Sequence, residues 1–167
     1  MLGLFLCLQM EKKYEPLFFD LDRTLWNFDE NSTKVLIDIF AHFKLEKSIH
    51  SVSSFRLKYQ EINESLWIIY SENKRDKEEL RHQLFEDTLA HFNVFDKALA
   101  SSMGNYYVEH SPRKTLLFLK AIEVLDYLFK KYKLHIITNG LEEVQHNKLR
   151  AFGISSYFDV LVFAKKK

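Results

Sequence analysis

Two carboxylates two residues apart, Asp20 and Asp22, close an apolar run in the stretch Leu17-Phe18-Phe19-Asp20-Leu21-Asp22-Arg23-Thr24-Leu25-Trp26. In an extended chain side chains alternate between faces, so both acids point the same way. Like charges this close repel each other, and a bound cation or a shared proton relieves them. A carboxylate at a strand end can attack a phosphoryl group to form an aspartyl phosphate, which splits one hard displacement into two easier ones. A neighbouring acid can protonate the departing oxygen and later take a proton from water. Magnesium would neutralise such a pair and orient a phosphoryl oxygen.

A second polar cluster, Thr138-Asn139-Gly140, ends another apolar run, Leu134-His135-Ile136-Ile137. A hydroxyl and the backbone amides after it can hold the remaining phosphoryl oxygens, since this transfer is catalysed mostly by positioning and charge stabilisation. The clusters lie far apart in sequence, and adjacent parallel strands would bring them together.

The elements between them read as helices. Asn31 or Ser32 is suited to cap a helix carrying Val35, Leu36, Ile39, Phe40 and Phe43 through about Leu45. A second helix is predicted from about Ser53 to Tyr70. A third runs from Lys77 to Phe92, with Leu80, Leu84, Phe85 and Leu89 on one stripe, and a fourth from about Phe95 to His110. Ser111-Pro112 ends this helical module, because proline lacks the amide a helix interior needs. A helix at Phe118 to Tyr132 follows, with Ile122, Leu125, Leu128 and Phe129 inward. Then come a strand at Leu134 to Thr138, a helix from Glu142 to Phe152 stopped by Gly153, and a short strand at Val160 to Phe163. Such alternation implies an α/β fold, a parallel sheet covered by helices with its ligand site beyond the carboxyl ends of the strands.

Composition narrows the partners. The 167 residues are 47% hydrophobic and 28% charged, enough for one domain with an inserted module. The net charge of +1 is spread over interspersed residues, which disfavours a nucleic-acid polymer or an anionic membrane surface as partner. The apolar start, Met1 to Met10, is too short to span a bilayer and lacks a cleavage motif, so it reads as an extension ahead of a natural start at Met10. The single cysteine, Cys7, cannot form an internal disulfide and suits a reducing cytosol. The seven histidines show no H-E-x-x-H spacing and read as structural or exposed.

At the two polar clusters the sequence resembles the haloacid dehalogenase-like hydrolase superfamily. FFDLDRTLW is similar to its first motif, D-x-D-x-T-[LV], and HIITNG to its second, an apolar strand ending in Thr or Ser. The resemblance implies a Rossmann-like core, residues 1–27 and 113–167, interrupted by a C1-type helical cap at 28–112. It implies that Asp20 is the nucleophile and a magnesium ligand. Asp22 is then the general acid/base with its backbone carbonyl on the metal, and Thr138, Asn139 and Gly140 bind the phosphoryl group. Dehalogenases of this superfamily lack the second Asp of the first motif, so Asp22 implies phosphate ester hydrolysis.

DLDRTLWNFDENS, KEELRHQLFEDTL and ITNGLEEVQHNKLRAFGISSYFD resemble the pyrimidine 5′-nucleotidase branch. The implied activity is a cytoplasmic, magnesium-dependent phosphatase for small phosphate monoesters, nucleoside 5′-monophosphates in particular. Trp26, Phe28, Arg81 and Tyr107 are positions open to base or ribose contact, or to packing alone. The family pattern also asks for a third-motif Lys and a fourth-motif acidic pair. Here Phe163-Ala164 meets Lys165-Lys166-Lys167, with Lys165 the nearest substitute cation. The chain therefore reads as C-terminally truncated or frameshifted, with the Asp20 strand left at an unpaired sheet edge. An inactive remnant that binds a partner or has no function is the competing expectation.

Overall fold

The computed structural model describes residues 16–73, 77–140 and 142–163. Lys165, Cys7 and Met1 to Met10 lie outside the described residues. Strand β1 (Leu17–Phe19) leads through a tight turn into helix α1 (Phe28–His42), followed by α2 (Val52–Asn73), α3 (Lys77–His91) and α4 (Lys97–His110). A 3-10 turn at Ser111–Arg113 leads back to α5 (Ala121–Phe129), β2 (Leu134–Thr138), α6 (Glu142–Ala151) and β3 (Phe158–Phe163). The strands form one parallel sheet in the order β1-β2-β3, with Phe18 beside His135 and His135 beside Val160. This is the α/β architecture expected, and among the described residues β1 stands at a sheet edge.

The α1 to α4 helices close around one cluster in which Val35, Ile39, Phe55, Phe85, Leu89 and Met103 are fully buried. The stripe expected on α3 is the buried one: Leu80, Leu84, Phe85 and Leu89 all face this core. A second cluster joins Leu21, Trp26 and Leu25 to Leu125 of α5, Leu134 and Ile136 of β2 and Leu149 of α6. The sheet thus packs α5 and α6 against one face, as right-handed crossovers in a single direction require.

Two expectations shift. Helix α1 begins at Phe28, ahead of Asn31 and Ser32, because Asn27 is the cap: its side-chain oxygen accepts from the Glu30 amide at 3.3 Å. Asp29 and Glu30 in the first turn complement the helix dipole. Asn31 is instead a buried splint, donating from Nδ2 to the Leu116 carbonyl at 2.7 Å and accepting from the Leu116 amide at 3.1 Å. It ties the two crossings between helices and sheet, which also meet where the Phe118 amide donates to the Leu25 carbonyl at 3.0 Å.

Helix α5 is shorter than the periodicity suggests, starting only after Lys120, which takes a left-handed conformation. Ala121 and Leu125 are its buried residues, while Ile122 and Phe129 face outward and are not core. Gly153 does end the α6 segment, at φ +68°, a region that side-chain-bearing residues rarely adopt.

Candidate active site

The strand β1 ends at Phe19, so Asp20 and Asp22 stand on the turn that follows it. The Leu21 carbonyl accepts from the amides of Leu25 and Trp26 at 3.0 and 2.9 Å, and Arg23 takes a left-handed φ of 62°. This turn sets both acids at the carboxyl end of the sheet. Arg23 is held aside, 3.1 Å from Asp29 and 5.0 Å from the centre of the Phe28 ring. At the end of β2, Thr138, Asn139 and Gly140 arrive at the same place. All five residues singled out in the sequence line one cavity of about 380 Å³.

The two acids have different surroundings. Asp20 is exposed, yet partial burial of its carboxyl pushes its pKa above the ordinary value. A hydrogen bond from the Leu21 amide opposes that push, the Asp22 charge adds to it, and Lys148 and the Thr24 hydroxyl oppose it. Asp22 is gripped at both oxygens. Lys148 Nζ donates to Oδ1 at 2.6 Å and Gln145 Nε2 donates to Oδ2 at 2.7 Å.

Lys148 is a buried cation, its side chain 5% exposed, with its ammonium 3.5 Å from the centre of the Trp26 ring. Burial lowers its pKa, against the pull of the Asp22 and Asp20 charges. Neither Gln145 nor Lys148 was singled out from the sequence. Their only sequence signal is three-residue spacing on α6, which puts both on one helix face beside Leu149.

Thr138 is buried, and its hydroxyl accepts from Gln145 Nε2 at 2.9 Å and from the Gly140 amide at 3.1 Å. A hydroxyl has two acceptor sites and one hydrogen. With both acceptor sites engaged, Thr138 meets an incoming oxygen as a donor. Gly140 serves this network by its lack of a side chain: a Cβ there would stand 2.0 Å from Gln145 Nε2.

A second cavity, of about 140 Å³, adjoins the first beneath the helices. Asp22, Phe28, Asn63 and Gly140 border both. Trp26, Phe28, Arg81 and Tyr107 all line this inner cavity, together with Tyr59. Arg81 Nε is buried without a hydrogen-bond partner among the described residues. The Tyr107 hydroxyl donates to Ser32 Oγ at 3.0 Å, and burial, with the Asp22 charge adding to it, pushes its pKa up to about 12.

Among the described residues no group of three or more His, Cys, Asp or Glu could hold a metal by itself. The available donors still suit magnesium, a hard cation usually held by one or two carboxylates with waters and phosphate oxygens. Asp20 faces the cavity without a salt bridge among the described residues, and the mutual repulsion of the two acids is what a cation would relieve. No described helix is long and apolar enough to cross a membrane.

The family model for haloacid dehalogenase-like hydrolases matches residues 17–166. The HAD-hydrolase YfnB of Bacillus subtilis is 26% identical over 90% of this chain and 62% of its own length. The pyrimidine 5′-nucleotidase YjjG of Escherichia coli is 28% identical over 92% of this chain and 64% of its own. The pyrimidine 5′-nucleotidase PynA of Streptococcus pneumoniae is 25% identical over 92% and 62%. The chain thus spans less than two thirds of the length of these relatives. Among solved structures, magnesium-bound YfnB aligns with a TM-score of 0.79 at 23% identity, over 90% of this chain and 65% of that one. The L-2-haloacid dehalogenase of Xanthobacter autotrophicus aligns at 0.63 and 14% identity, over 90% and 56%. Both likenesses are of fold.

Proposed function

This chain belongs to the haloacid dehalogenase-like hydrolase family, and we propose from that premise that it carries the site of a phosphatase for small phosphate monoesters, nucleoside 5′-monophosphates in particular. The observation that carries this reading is the position of Asp22 on the border of two cavities. A phosphoryl group in the outer cavity faces Asp20 and Thr138, its organic remainder occupies the inner one, and the bond between them passes Asp22.

Asp20 is the nucleophile in this reading, and its carboxylate oxygen attacks phosphorus from the exposed side. Asp22 gives a proton to the departing oxygen and later takes one from water. Thr138 donates its hydroxyl hydrogen to a phosphoryl oxygen, with Asn139 and Gly140 shaping the wall beside it. Magnesium, when bound by Asp20 and the Asp22 backbone carbonyl, would neutralise charge on the phosphoryl oxygens and orient them. The helices of residues 28–112 act as the cap that shields this chemistry from water.

The inner cavity supports a ring-sized leaving group. A cavity of about 150 Å³ in another protein takes one benzene, and the 140 Å³ here has aromatic walls at Phe28, Tyr59 and Tyr107 with polar groups at Asn63 and Arg81. That suits one six-membered nucleobase, and two of the relatives are pyrimidine 5′-nucleotidases. The test is magnesium-dependent phosphate release from a panel of nucleoside monophosphates by this chain and by Asp20→Asn. Release from pyrimidine nucleotides that Asp20→Asn abolishes is expected. Equal rates for both proteins would overturn the reading.

A further inference from the structure

We propose that Gln145 and Lys148 are positioning residues, which hold the Asp22 carboxylate in the orientation needed to take a proton from water in the second half of the reaction. The assignment rests on the phosphatase reading above. Its ground is the grip on both oxygens of one acid. Lys148 holds Oδ1 and Gln145 holds Oδ2, so the carboxylate cannot turn about its bond to the chain. A carboxylate offers about four lone-pair sites. One site on each oxygen therefore remains for a proton.

The two anchors are themselves fixed. Lys148 is buried with its ammonium on the Trp26 ring. The Gln145 amide spends its other hydrogen on Thr138, in space that exists because residue 140 has no Cβ. Asp20 has no such clamp among the described residues: its partners there are the Leu21 amide and the Thr24 hydroxyl, and it remains exposed. One acid is left open to attack phosphorus and the other is locked to handle protons.

In the first half, an Asp20 oxygen bonds to phosphorus while the ester P–O bond breaks, and the departing oxygen carries away the electron pair and takes the Asp22 proton. In the second, water attacks phosphorus and passes a proton to Asp22. The Asp20–phosphorus bond breaks, its electron pair returns to Asp20, and inorganic phosphate leaves. A p-nitrophenolate departs without a proton, so with p-nitrophenyl phosphate only the second half depends on Asp22. Misorienting Asp22 should then let the protein become phosphorylated and stall there.

The experiment mixes wild type, Lys148→Met and Gln145→Leu with p-nitrophenyl phosphate and magnesium. Both variants should release about one equivalent of p-nitrophenol in a burst, then turn over at least about tenfold more slowly than wild type, part of the ~10²- to 10⁴-fold that positioned acid–base groups supply. Mass spectrometry of the quenched protein should find one phosphoryl group on Asp20, and Lys148→Arg should recover part of the steady rate. Variants that turn over at the wild-type rate, or that slow without a burst or covalent phosphate, would overturn the assignment alone. A wild type that releases no p-nitrophenol would overturn the phosphatase reading and this assignment with it. Gln145→Leu leaves Lys148, Gly140 and Asp22 in place, so it carries the test if Lys148→Met does not fold.

Discussion

In the helical module, α1 to α4 turn their apolar stripes on one another, and Phe55, Phe85 and Leu89 are sealed from solvent. In the sheet region, among the described residues, only one face of the strands is treated this way. Leu134 and Ile136 are buried under α5 and α6, while on the opposite face Phe18 is 55% exposed and Ile137 46%, with Val160 and Val162 beside them. The helices are therefore built around an apolar core, whereas the carboxyl end of the sheet is ordered by a polar network. Lys148, Gln145, Asp22 and Thr138 make that network, and it lies on the side the helices cover. The candidate site residues sit where these two ways of building order meet.

The contrast can be broken first at its strongest point. Phe85→Ala should cost about 3–5 kcal/mol of stability, as truncation of a sealed core aromatic does, read by urea unfolding followed by circular dichroism. A loss below about 1 kcal/mol would mean that this packing does not hold the helices together. The sheet offers a sharper contrast between neighbours. Ile136→Ala should cost about 2–5 kcal/mol, and Ile137→Ala, one residue on and facing the other way, about 0.5 kcal/mol or less. Equal costs would show that the second face is covered in solution.

The smallest effect expected concerns Asp20. Burial, followed among the raising influences by the Asp22 charge, lifts its folded-state pKa above the ordinary 3.8. The native state then holds the proton more tightly than the unfolded chain does. The associated stability is fully present below the unfolded value and is lost as pH rises through the folded value. At neutral pH the carboxylate is a small burden, discounted by its exposure. Asp20→Asn should therefore melt slightly higher than wild type at neutral pH and alike in acid. A lower melting temperature at neutral pH would contradict this account of its surroundings.

Much of this was legible in the chain. The β2 strand is legible at its observed bounds because Leu134 to Ile137 is an apolar run closed by Thr138 and the turn pair Asn139-Gly140. The α3 stripe was readable because packing there follows simple helical periodicity. Helix α5 misled because its outward face is also apolar, so periodicity could not tell Ile122 from Leu125. The start of α1 misled because Asn31 has the chemistry of a cap, and only the approach of Leu116 reveals its use as a splint.

The same division holds at the site. Asp20, Asp22, Thr138, Asn139 and Gly140 stand at strand ends, and strand ends are readable from a local apolar run that stops. Their convergence follows from parallel pairing alone. Gln145 and Lys148 are polar residues on an amphipathic helix, with the composition of any solvated face. Their burial is decided by where α6 lies against the sheet, a packing outcome between segments distant in sequence. The sequence by itself determined which groups could carry the chemistry and at which end of the sheet they meet. Only the tertiary structure decided that one of two similar acids is open and the other clamped, because that difference resides in neighbours brought from α6.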